Sequence, residues 1–200
     1  ELIRDKAFVE YSRKNFIDSE RSIKKALLIN KNEVFGLNIL GLIKIEQNKS
    51  LDAIKLFKKA IFIQPKYADS YNNLGKCLID REKLNEAYIC FKKAYKINPQ
   101  LDLPLINIAN ILSLKDRNKL AIKFYEEAKK INPKNLIINE NIAIINCKLK
   151  NLEWVEENFK KQKGSESFYN EFALGYSFLL LNKKRFKEAF NLFDARLKTK

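Results

Sequence analysis

An all-helical solenoid of stacked helix pairs is the fold this sequence predicts, because four residue columns recur together at a spacing of 34 residues. Small residues stand at Ala7, Gly41, Gly75, Ala109 and Ala143, and a second set stands at Ser19, Ala53, Ala87, Ala121, Val155 and Ala189. Bulky residues keep the spacing at Ile23, Phe57, Phe91, Tyr125, Phe159 and Phe193, and prolines keep it at Pro65, Pro99 and Pro133. Chance does not hold four columns in register over so many periods. Each period is therefore one supersecondary unit, which cannot bury both of its faces alone and stacks on the next.

The units follow in order. Residues 1–33 form a degenerate first unit, with Lys31 in the slot where later units carry proline. Residues 34–67 keep the small, aromatic and proline slots at Gly41, Phe57 and Pro65. The clearest unit is 68–101, where Tyr71, Leu74, Gly75 and Leu78 fall three and four apart and share one helix face. Asp80, Arg81, Glu82 and Lys83 break that stripe with a polar turn, and Leu84, Ala87, Tyr88, Phe91, Ala94 and Tyr95 begin a second. Asn98-Pro99 ends the second helix, since the residue before proline is pushed out of the helical region. Gly75 and Ala87 remove bulk where the two helices approach, Phe91 fills the space beside them, and Ala94 admits the next unit's helix. Residues 102–135 repeat the pattern with Ala109 in the glycine slot. Residues 136–167 are weaker, with Val155 and Gln162 in small-residue slots and Gly164-Ser165 in place of the Asn-Pro stop. In 168–200, Leu174-Gly175 comes about two residues early while Ala189 and Phe193 stay in register. The turn Asn182-Lys183-Lys184-Arg185 is therefore expected to be about two residues longer than its counterparts.

The stretch YNNLGKCLIDREKLNEAYICFKKAYKINP resembles the tetratricopeptide repeat family closely. LNILGLIKIEQNKSLDAIKLFKKAIFIQP resembles it with Leu37 in place of the leading aromatic, and LINIANILSLKDRNKLAIKFYEEAKKINP with Ala109 in place of glycine. The resemblance implies one array over 1–200, a right-handed superhelix of about six antiparallel helix pairs whose first helices line a concave groove. It also implies a non-catalytic protein-interaction scaffold that binds an extended peptide or a partner helix in that groove. The end segment LLLNKKRFKEAFNLFDARLKTK resembles the closing helix pair of such arrays fused to bacterial glycosyltransferases. Phe186, Phe190, Phe193 and Arg196-Leu197 carry that likeness, with Ala195 where the pattern has an aromatic. The alternative it implies is the N-terminal recognition domain of a larger glycosyltransferase whose catalytic domain lies outside this chain; the bland alternative is a capping amphipathic helix.

Composition narrows the chemistry. At 46% apolar, the 200 residues can bury a large core, yet no apolar run is long enough to span a bilayer. With no histidine there is no histidine general base, and a zinc site would have only cysteines and carboxylates to draw on. Cys77, Cys90 and Cys147 form no CxxC pair, and an odd number argues against a disulfide framework and for a reduced, cytoplasmic setting. Cys77 and Cys90 fall on helical stripes and read as small hydrophobes. Glu126-Glu127 and Glu156-Glu157 are adjacent pairs that point to different sides, unlike a convergent acid/base dyad. No Gly-rich phosphate loop follows a strand, so no catalytic residue, metal or cofactor is expected. The chain starts Glu1-Leu2-Ile3 and contains no methionine, which reads as a fragment of a longer protein whose N-terminal signal, if any, lies elsewhere.

The formal charge of +15 is unevenly distributed. First helices are near neutral, as with Lys44 against Glu46, whereas second helices carry the excess. Paired lysines recur at Lys24-Lys25, Lys58-Lys59, Lys92-Lys93 and Lys160-Lys161, broken by Glu126-Glu127. Phe57, Phe91 and Tyr125 point inward by period rather than interleaving with the lysines. Such a stripe could contact phosphates or an anionic membrane, but it reads first as a solvated face, and no stacking platform for single-stranded bases is evident. On the first helices the recurrent group is asparagine. Asn73, Asn107 and Asn141 keep the 34-residue spacing, and Asn38, Asn72 and Asn110 lie within a turn of that line. An amide offers both a donor and an acceptor, so such a ladder can hold a peptide by its main chain. The resemblance implies the same, since asparagine ladders line the groove of tetratricopeptide arrays in protein O-glycosyltransferases. Lys76 is expected inside the central groove, with Phe35, Leu42, Leu103, Ile106, Ile137 and Ile144 as candidate apolar pockets. These helices carry too few basic groups for a terminal-carboxylate clamp.

Overall fold

The computed structural model describes residues 2–159 and 166–197, with side chains described through 159 and from 172 to 192. Gln162, Gly164-Ser165 and Lys160-Lys161 lie outside the described residues, as do the side chains of Phe193, Ala195, Arg196 and Leu197. Among the described residues the regular elements are α-helices, in six consecutive pairs. The first three pairs are α1 (Leu2–Ser12) with α2 (Phe16–Ile29), α3 (Val34–Glu46) with α4 (Ser50–Ile63), and α5 (Ala68–Ile79) with α6 (Leu84–Ile97). The others are α7 (Leu103–Leu114) with α8 (Asn118–Ile131), α9 (Leu136–Lys148) with α10 (Leu152–Phe159), and α11 (Glu166–Asn182) with α12 (Phe186–Leu197). The chain divides into two compact units, Glu1–Asn107 and Ile108–Lys200.

Close approach within a pair depends on the small column. A Cβ added to Gly41 would lie 2.5 Å from Phe57 Cε1, and one added to Gly75 would lie 2.6 Å from Phe91 Cε1. Both rings are fully buried, so neither can swing into solvent to make room. Ala53, Ala60, Ala87 and Ala94 are also fully buried, as helix-contact slots require. In the first unit α2 packs on α3 and α4 on α5. There Ala7, Ile23, Ile39, Leu40 and Ile43 form one core cluster and Val34, Leu37 and Ala60 another. In the second unit the Phe159 ring packs at a tilt against Phe172 at 5.2 Å and Tyr176 at 5.1 Å between centroids, joining α10 to α11 around buried Ala143, Val155 and Leu179.

Each pair turns through one left-handed residue: Lys14, Asn48, Glu82, Asp116, Lys150 and Lys184, with φ between 56° and 61°. Two hydrogen bonds close each turn. In the third pair the Glu82 N–H donates to Ile79 C=O at 2.8 Å and the Lys83 N–H donates to Leu78 C=O at 2.9 Å. This is a Schellman closure, usually built on glycine because a Cβ is disfavoured at positive φ; no glycine with positive φ occurs among the described residues. Second helices end on a non-helical residue with φ between −134° and −131°, at Asn30, Gln64, Asn98 and Asn132. Asn30 adopts this conformation with Lys31 after it, so the stop does not require proline.

The last pair corrects one expectation. Its turn is no longer than the others: α11 ends at Asn182, α12 begins at Phe186, and Lys184 holds the same 34-residue spacing as Lys150. The small-residue slot is filled by Ser177, which is buried and whose hydroxyl donates to Ala173 C=O at 2.6 Å, satisfying the polar group inside the helix. Gly175 instead faces the preceding pair, where an added Cβ would lie 2.9 Å from Cys147 Sγ. The slip lies in which residue is small, not in the turn.

Candidate functional site

In the first unit the asparagines of the first helices bond to one another across successive pairs. Asn73 Nδ2 on α5 donates to Asn38 Oδ1 on α3 at 3.1 Å, and Ser70 Oγ donates to the same oxygen at 3.3 Å. One pair further on, Asn107 Nδ2 donates to Asn72 Oδ1 at 3.1 Å. Donor and acceptor lie 35 residues apart in both bridges, one more than the repeat, because the bond steps to the adjacent residue of the neighbouring helix. Asn38, Asn72 and Asn73 are buried and Asn107 is half-buried. The bridges satisfy part of each amide and leave the rest. Asn73 Oδ1 and Asn72 Nδ2, an acceptor and a donor on adjacent residues, have no hydrogen-bond partner among the described residues. Lys76 lies one turn further along α5 and is exposed.

Asn110 and Asn141 belong to the second unit, where they line a cavity of about 240 Å³ with Ser113, Tyr125, Ile144 and Lys148. Tyr125 occupies the aromatic slot that Phe57, Phe91 and Phe159 fill elsewhere, and it is fully packed. Its buried hydroxyl needs a partner and donates to Asn110 Oδ1. Burial holds the phenol above its usual titration range, so it remains a donor throughout the physiological range. Asn141 is half-buried and makes no side-chain hydrogen bond among the described residues. A second cavity of about 220 Å³ shares Ile144 and Lys148 as walls and is otherwise lined mainly by Cys147, Phe172, Leu174 and Phe178. The two together run from a polar end bearing amides and a hydroxyl to an apolar end, with one cation between them. A wider hollow of about 390 Å³ at Asp116–Leu120 and Leu149 lies at helix turns and gathers no comparable set.

Of the residues the sequence nominated, Asn38, Asn72, Asn73 and Asn107 come together in the first unit, and Asn110 with Asn141 in the second. Ile144 lines both cavities, Ile106 is core, and Leu103 and Ile137 are exposed. Phe35 packs on Phe8 at 5.6 Å under the Arg4 guanidinium. Sequence reasoning did not nominate Tyr125, Ser113 or Lys148. The signal for Tyr125 was a hydroxyl in a column of phenylalanines, which a buried slot tolerates only beside an acceptor. Cys77 is buried, and burial pushes its thiol up to about 11, which suits packing rather than reactivity.

Two family models described as tetratricopeptide repeat match residues 68–101 and 104–135. No curated protein matches the sequence. Among solved structures the chain is similar to PilF of Pseudomonas aeruginosa, with a TM-score of 0.84 at 15% identity over 99% of this chain and 90% of that one. It is similar to YrrB, a TPR protein with an unusual peptide-binding site, with a TM-score of 0.73 at 16% identity over 88% of this chain and 91% of that one. It is similar to MamA with a TM-score of 0.57 at 17% identity, over 98% of this chain and 89% of that one. At these identities the likeness is one of fold.

Proposed function

We propose that this chain, which is a tetratricopeptide-repeat protein, is a protein-interaction scaffold that holds an extended peptide or a partner helix against its first helices. The observation that carries this reading is the half-used amide. Asn38, Asn72, Asn73 and Asn107 spend one group each on bridging neighbouring pairs, so their side chains are held in place before any ligand arrives. The free Asn73 Oδ1 and Asn72 Nδ2 then offer an acceptor and a donor to one peptide unit, whatever side chain it carries. The second unit supports the same use separately. Asn141 and Lys148 provide polar anchors, and the adjoining apolar cavity takes a side chain. The peptide-binding site of YrrB is a precedent on this fold.

The test is selection of ligands from a displayed random-peptide library, followed by affinity measurement with the Asn73→Ala, Asn107→Ala double variant. Loss of the Asn73 Oδ1 acceptor, together with loss of the Asn107 bridge that positions Asn72, should weaken binding about tenfold or more while helicity is retained. Unchanged affinity in a folded double variant refutes the ladder.

A second reading makes the chain the recognition arm of a larger glycosyltransferase. It draws on α12, which leaves Phe186 and Phe190 exposed in positions where a following domain would cover them. Expression of the parent gene product and assay for nucleotide-sugar turnover tests it.

A further inference from the structure

Two second helices of the first unit, α2 and α4, present the same unusual exposed row. Ile17, Arg21, Lys24 and Leu28 follow one another on α2 at intervals of four, three and four, and Leu51, Lys55, Lys58 and Phe62 do so on α4. That spacing places each set on one line along its helix, with an apolar residue at either end and two cations between. The apolar ends are far from packed: Ile17 is 76% exposed, Leu28 77%, Leu51 58% and Phe62 86%. Lys25 and Lys59 flank the rows and are exposed as well. The equivalent row on α6 runs Asn85, Ile89, Lys92, Lys96, so the doubly capped pattern belongs to α2 and α4.

We infer that this face of α2 and α4 is a docking surface for an anionic lipid bilayer. Charge complementarity points to an anionic partner. Asp18 is 2.9 Å from Arg21, Glu20 is 2.7 Å from both Lys24 and Lys44, and Asp52 is 3.9 Å from Lys55. Lys25, Lys58 and Lys59 have no ion-pair partner among the described residues. Carboxylates offset Arg21, Lys24 and Lys55, so the three uncompensated lysines supply the attraction to a phosphatidylserine surface. The apolar ends decide between a bilayer and a nucleic acid. Ile17, Leu28 and Leu51 are aliphatic and offer no π-face on which a base stacks, whereas leucine, isoleucine and phenylalanine all enter the headgroup–acyl boundary. Each row spans about 16 Å from its first to its last residue, so both apolar ends of a helix reach the interface when the helix lies flat. Longer lysine side chains between them reach the phosphates without displacing the helix.

The 200-residue chain is tested by flotation with vesicles of phosphatidylcholine alone and of phosphatidylcholine with phosphatidylserine. The expected result is partition onto the anionic vesicles alone. Lys58→Glu with Lys59→Glu should weaken it about tenfold or more. Leu28→Ser with Phe62→Ser, which leaves the net charge unchanged, should also weaken it about tenfold. All four positions are exposed, so circular dichroism should report an intact fold in each variant. Absence of partition by the unaltered chain overturns the inference. So does full retention of binding by the Leu28→Ser, Phe62→Ser variant, or tighter binding to a single-stranded oligonucleotide than to the anionic vesicles.

Discussion

Asn38→Ala and Asn73→Ala remove opposite ends of one buried hydrogen bond, yet the structure makes them unequal. Asn38 Oδ1 accepts from both Asn73 Nδ2 at 3.1 Å and Ser70 Oγ at 3.3 Å. The two asparagines are 4% and 8% exposed, so truncation of either vacates a similar volume and the packing loss is common to both. Asn38→Ala strands two buried donors, whereas Asn73→Ala leaves Asn38 with its serine partner. At roughly 1 kcal/mol for each stranded group and about 1 kcal/mol for the common packing loss, Asn38→Ala should destabilise by about 3 kcal/mol and Asn73→Ala by about 1 kcal/mol. Ser70 can turn its hydroxyl toward a carbonyl of its own helix, which narrows that gap. The coupling between the variants is therefore the sharper quantity. Both singles break the same bond, so the double variant should cost about 1 kcal/mol less than the sum of the two. Urea unfolding of the four proteins, with m-values checked for constancy, measures it. Strict additivity would mean that the amides do not bond across the helix pairs, and the pre-organised ladder would lose its basis.

Two other expectations rest on separate features. Burial alone would raise the Glu20 carboxyl, but hydrogen bonds from Lys24, Lys44 and Gln47 outweigh it and hold the group down to about 2, against an ordinary 4.5. A lowered carboxyl pKa contributes stability above its unfolded value and loses it as pH falls through its folded one, so the contribution should fade between about pH 4.5 and about 2. Screening of the partly wet pair limits it to about 1 kcal/mol, and Glu20→Gln should flatten the stability-versus-pH curve in that window; a curve unchanged by the substitution would rule out this network as the source. Separately, Glu82→Gly relieves the left-handed backbone at φ 60° and should stabilise by about 1 kcal/mol in thermal unfolding, while Glu82→Ala should not. Equal gains from both would show that the side chain, not the backbone angle, is at issue.

Periodicity alone determined the stacked helix pairs, the polar turn and stop of the 68–101 pair, and the inward slots of Phe57, Phe91 and Tyr125, because a helix face is written directly in three- and four-residue spacing. The approach of Gly75 to Phe91 was legible for the same reason: both columns recur, and only a missing side chain explains a recurring glycine within a helix. The turns were not legible in conformation. Lys14, Asn48, Glu82, Asp116, Lys150 and Lys184 share a left-handed backbone that no common residue type announces, since it is imposed by the two hydrogen bonds that close each turn. The last pair shows the limit of column matching, where Gly175 attracted the small-residue assignment and Ser177 fills it, because a serine that bonds its own helix occupies the slot without cost to the backbone. The asparagine column was visible in the sequence, but its division into bonded and free halves was not. Which amide atom bonds Asn38 and which is left unbonded depends on how one helix pair is set against the next, and that offset is decided by side-chain packing between residues 35 apart.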